Sequence, residues 1–142
     1  MAAYNKYQQF VEDLCKKVHN LDTDTLKIAL TNTAPNAATH KVLADITEIG
    51  PGNGYSAGGN TATFSSGLQT AGTFKLILAD VTFTASGGNM NAFQYAVLYN
   101  ATPTSPLKPL ICWFDYGTPL IITSGNSFTV DLDQTGGLFT LA

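Results

Sequence analysis

The chain has no arginine; all seven of its basic residues are lysines. Without a guanidinium it lacks the usual bidentate reader of phosphates and guanine edges. Apart from Lys16-Lys17 the lysines form no patch, and the net charge is −3, so direct nucleic-acid binding is not expected. Charge of either sign is scarce, at 12% of residues against 44% apolar, which excludes a charged disordered polymer. No uninterrupted apolar run approaches the length that spans a bilayer, and Met1-Ala2-Ala3-Tyr4 does not begin a basic-then-apolar leader. No membrane association is expected, and synthesis and folding are expected in a cytoplasm. Cysteine is limited to Cys15 and Cys112, at no zinc or redox spacing; both read as unpaired thiols in or near the core.

What charge there is gathers at the front. Residues 3–20 read as one helix, with Tyr7, Phe10, Val11, Leu14, Val18 and Leu21 at spacings of three and four on one face. Glu12, Asp13, Lys16 and Lys17 fall on the other, and Glu12–Lys16 and Asp13–Lys17 have the favourable acid-first order. His19-Asn20 supplies a stop.

From residue 25 the text changes to strands and turns. Leu26, Ile28 and Leu30 alternate with Lys27, Ala29 and Thr31 as in a half-buried strand. The 50–60 segment, dense in glycine and asparagine around Tyr55, reads as a surface loop that docks on a neighbour or stays mobile. Residues 61–65 read as a strand turning at Ser66-Gly67. In 73–85 the apolar phase flips between Phe74-Leu76-Leu78 and Val81-Phe83-Ala85, which requires a bend near Asp80 and allows one strand to serve two sheets. Residues 92–100 read as a central strand and 110–116 as the most hydrophobic one, turned by Gly117-Thr118-Pro119. Residues 120–123 and 127–132 read as a hairpin about Ser124-Gly125-Asn126, with 138–141 closing the chain. The fold class is all-β: a single domain, 1–142, forming a β-sandwich or jelly roll of about seven or eight mostly antiparallel strands, with one N-terminal helix and a 25–142 body.

Chemistry-bearing patterns are sparse. His19 and His40 have no ligand at a metal-binding spacing and read as exposed loop residues. No GxSxG elbow marks a nucleophile, and the 50–60 loop lacks the ending of a phosphate-binding loop. Asp80, Asp115, Asp131 and Asp133 are the strand-borne acids. Asp131 and Asp133 fall on one side of a strand, the pattern of a solvent edge as well as of paired catalytic carboxylates. No catalytic residue, cofactor or metal ligand is assigned. Tyr4, Tyr7, Tyr55, Trp113 and Tyr116 are the interface candidates, with core packing as the alternative for the last two.

Several runs carry a resemblance: 4–14, 18–21 and 24–35 at the front, then Leu43-Ala44-Asp45-Ile46-Thr47-Glu48-Ile49, Gly52-Asn53-Gly54-Tyr55-Ser56-Ala57-Gly58-Gly59, 93–100 and Trp113-Phe114-Asp115-Tyr116-Gly117. In this order they resemble a family of small virion structural proteins of tailed bacteriophages, over nearly the whole chain. The resemblance implies a non-enzymatic component of the particle, a head decoration or cement protein. It would sit on the capsid surface after assembly in the host cytoplasm, bound to major capsid protein and to copies of itself as a dimer or trimer. A tail-associated receptor- or carbohydrate-binding module is the alternative.

Overall fold

The computed structural model describes residues 2–142 as an all-β sandwich of ten strands with one α-helix. One sheet holds β1 (Ala3–Lys6), β2 (Leu26–Thr31), β3 (Asn60–Ala62), β7 (Phe93–Asn100) and β8 (Leu110–Leu120) in the order β1-β8-β7-β2-β3. The opposing layer is built from β4 (Phe64–Thr70), β5 (Thr73–Leu78) and β10 (Phe139–Leu141), ordered β10-β5-β4, and a ribbon of β6 (Val81–Thr84) with β9 (Ser127–Val130). All these pairings are antiparallel. Their inward residues, among them Ile28, Leu30, Leu76, Phe83, Phe93 and Leu98, form one continuous core. β7 lies between β2 and β8 and is buried at both Val97 and Leu98, as its two apolar faces require.

The bend near Asp80 is present and has a partner. β5 pairs with β10 and β6 pairs with β9, so two chain segments change sheet side by side. Asp80 Oδ1 accepts from the Leu132 amide at 2.9 Å and from Gln134 Nε2 at 3.1 Å, tying the two crossings together.

The opening segment departs from a helix over 3–20. Ala3–Lys6 is a strand on the edge of the large sheet, with Tyr4 opposite Phe114 and Asn5 opposite Trp113. Pairing there satisfies the backbone of the most apolar strand, which outweighs the helical spacing of its side chains. The helix α1 covers only Gln8–Cys15. It ends in a Schellman motif, with Lys17 at φ 64°, Val18 N donating to Asp13 O (2.9 Å) and Lys17 N to Leu14 O (3.4 Å). The shorter helix also turns differently: Phe10 and Asp13 are buried while Val11 is exposed. The Glu12–Lys16 pair forms. The Asp13–Lys17 pair does not, because Asp13 points into the protein and Lys17 has left the helix.

Four further expectations are corrected. β4 continues through Ser66-Gly67, with a register shift between Phe64 and Ser66, and the turn falls at Ala71-Gly72, both at positive φ. β8 continues to Leu120, with Gly117-Thr118-Pro119 bulging out between its pairings at Asp115 and Leu120. β9 pairs with β6, not with residues 120–123, since cross-strand burial of Val81 and Phe83 outweighs local closure. The glycine-rich segment is pinned down: Gly59 is at φ 67°, and a Cβ there would lie 1.7 Å from Ile28 O. Only glycine permits that approach.

Candidate interaction surface

Two of the concave features that face solvent hold interface candidates beside exposed apolar or acidic side chains. The first is an apolar groove of about 340 Å³ between α1 and the outer strands of both sheets. Phe10, Val11 and Leu14 come from α1, Tyr4 from β1, and Phe139 and Leu141 from β10. The short helix creates it, because a two-sided strand-then-helix entry sets Val11 outward beside Tyr4. Tyr4, Val11 and Leu141 are 37%, 47% and 56% exposed. Beneath them Phe10 meets Phe139 edge-on at 5.7 Å, and Tyr4 meets Phe114 at 6.0 Å, so the floor is rigid aromatic packing. β1 and β10 are both end strands, and no described strand pairs with their outer edges. The groove therefore offers apolar side chains together with unpaired backbone donors and acceptors.

The second is a cleft of about 490 Å³ where the β8 bulge meets β9. Asp115 Oδ1 accepts from Gln94 Nε2 (3.0 Å) and the Gly117 amide (2.7 Å), and these bonds hold its carboxyl below the usual range. Asp131 Oδ1 accepts from the Asp133 amide at 2.9 Å. The cleft wall is Tyr116 edge-on to Phe128 at 5.0 Å. Burial, and then the charge of Asp131, push the Tyr116 hydroxyl up to about 12.

The five tyrosine and tryptophan candidates are not brought together. Tyr4 lies in the groove and Tyr116 in the cleft. Trp113 is half-buried against Tyr7, whose ring is 4.7 Å away and fully buried. Tyr55 is also buried: its hydroxyl donates to Glu48 Oε2 at 2.6 Å and accepts from the Leu30 amide at 3.1 Å. Tyr7 and Tyr55 are thus core residues of the folded chain rather than interface residues.

The acids are regrouped as well. Both acids lie beyond β9, which ends at Val130; Asp133, at φ 50°, caps a turn by accepting from the Thr135 and Gly136 amides, while Asp131 lines the cleft. Asp115 is the carboxylate that shares Asp131's cleft, a pairing across strands that linear spacing does not reveal. Among the described residues no three His, Cys, Asp or Glu side chains gather as a metal site, and no helix is long and apolar enough to cross a membrane. Both cysteines are unpaired; Cys112 is in the core, where burial pushes its thiol up, whereas Cys15 is exposed beside the groove and not in or near the core. His40 stays in a loop, but His19 is only 6% exposed.

Models of known protein families, curated proteins and solved structures were compared with the chain, and none matches.

Proposed function

We propose that this protein is a structural component of a tailed-phage particle, a head decoration or cement protein that binds major capsid protein subunits. The observation that carries the reading is the groove between α1 and the outer edges of β1 and β10. Exposed apolar side chains beside unpaired strand edges are what a subunit needs to bind by apolar contact and strand addition. The low charge limits repulsion between closely packed copies, and modest contacts repeated over a shell sum through multivalency. The resemblance of the 4–14, 43–49, 52–59, 93–100 and 113–117 runs to small virion proteins supplies the setting. Quantitative analysis of purified particles tests the reading: many copies per particle, with antibody label spread over the head, is the expected result. Absence from particles would remove it.

The acidic, aromatic cleft favours a second reading, a carbohydrate-binding module at the tail. Tyr116 and Phe128 offer ring faces, and Asp115 and Asp131 offer acceptors for sugar hydroxyls. Glycan-array binding together with tail-tip labelling would select this reading over the first.

A further inference from the structure

Behind α1 lies a polar cluster that neither surface uses. His19 and Asn100 are buried, at 6% and 0% exposure, in the angle between the 16–24 connection and the end of β7. The orientation of the Asn100 amide is fixed from two sides. Its Oδ1 accepts from the Thr102 amide at 3.1 Å, and its Nδ2 donates to Asp24 Oδ2 at 2.6 Å. The second Nδ2 hydrogen then points at His19 Nδ1, 3.2 Å away. That nitrogen must accept, so the imidazole is neutral with its proton on Nε2. Nε2 itself has no hydrogen-bond partner among the described residues, and the same holds for Asp13 Oδ2 on α1.

We propose that the His19–Asn100 hydrogen bond is an acid-released latch that holds the 16–24 connection, and with it the end of α1, against β7. Protonation puts a second N–H on His19 at Nδ1, facing the N–H of Asn100, and turns an attractive contact into a donor–donor clash. Asn100 cannot relieve it by flipping, because a flip would set its oxygen against Asp24 and its NH₂ against the Thr102 amide.

The surroundings decide which form persists. Asp13 on α1 and Asp24 on the connection favour the charged ring, while Lys17 and Asp22 stand on the connection at the rim. β5 and β10 present Phe74, Phe139 and Leu141, none of which titrates, and α1 adds Phe10 with its ring 5.2 Å from the imidazole. Burial among these groups outweighs the two carboxylates and holds His19 below its ordinary 6.5.

The sign follows. With the closed-state value depressed, the open form takes up a proton first, so closure is fully favoured above 6.5 and weakens as pH falls toward the closed-state value. The opening equilibrium should rise by up to about tenfold for each unit that separates the two values. Release would loosen the second wall of the groove, since Leu14 and Phe10 belong to the element that the latch holds.

Hydrogen exchange of the full chain at about pH 7.5 and about pH 5, corrected for intrinsic rates, tests the proposal, because histidine is the side chain whose ordinary range lies between them. Amides of 16–24 should lose protection in acid while those of β2 and β7 keep theirs. In His19→Gln, whose side-chain oxygen can still accept from Asn100 and does not titrate, the acid loss should disappear. An NMR titration of both imidazoles in the unmodified protein is the second measurement and needs no variant to fold. His19 should titrate below 6.5. A His19 value at or above 6.5, or the same acid loss in His19→Gln, would overturn the latch.

Discussion

The Tyr55 hydroxyl is held between Glu48 and Leu30, donating to the carboxylate at 2.6 Å and accepting from the strand amide at 3.1 Å. Glu48 Oε2 also accepts from the Gly58 amide (2.7 Å), and Tyr99 donates to Gly58 O (2.7 Å). One carboxylate and two phenols thus fasten the glycine-rich segment to β2 and β7. Burial, followed by the Glu48 bond, raises the Tyr55 hydroxyl well above its ordinary value, so it remains a donor throughout the neutral range.

Tyr55→Phe leaves the Leu30 amide without its hydroxyl partner and removes one donor from Glu48. A loss of about 1–3 kcal/mol is expected. Urea unfolding measures it as a lower midpoint with an unchanged slope. An unchanged midpoint would show that the phenol bonds add nothing.

Lys17→Gly should stabilise the protein. The left-handed residue of the helix C-cap is a lysine, and glycine adopts that conformation without the Cβ penalty of about 1–2 kcal/mol, which exceeds the ~0.5–1 kcal/mol that its greater backbone freedom costs. Lys17→Ala keeps the penalty and serves as the comparison. Thermal unfolding should rank glycine above both lysine and alanine.

Asp80→Ala removes the acceptor shared by Leu132 N and Gln134 Nε2 at the double crossing. The Leu132 side chain is 1% exposed and anchors the second segment. A cost of about 1–3 kcal/mol is expected, with most of it restored in Asp80→Asn, which keeps the oxygen. Equal losses in the two variants would mean that charge, not the acceptor, holds the bend.

Leu141→Asp and Val11→Asp test the groove. Both side chains are about half exposed, so stability should move by no more than about 0.5 kcal/mol. On the proposed function, binding to phage particles that lack the protein should fall at least about tenfold, the effect expected of an apolar anchor at an interface. Undiminished binding by both variants would place the contact elsewhere.

What could be read from the sequence depended on how local each cause was. The bend at Asp80 was legible because the apolar phase reverses within a few residues. The central position of β7 was legible because both its faces are apolar. The end of α1 was not, since its left-handed cap is a lysine where glycine would have announced it. Nor was the strand at Ala3–Lys6, whose partner β8 lies about a hundred residues further along the chain and whose Tyr4 stands three residues before Tyr7, a helical spacing. His19 and Tyr55 read as loop residues because Asn100 and Leu30, which donate to them, are distant in sequence. The Asp115–Asp131 cleft failed to show for the same reason: it is made by a bulge in one strand meeting another.

The contrast between the two cysteines has a practical side. Cys112 is sealed in the core with its thiol pushed up, and Cys15 stands exposed at the end of α1, on the rim of the groove. A maleimide dye would therefore attach at a single address in the native protein. Its emission would report directly when the groove is filled and when the helix beside it moves, with no engineered residue required.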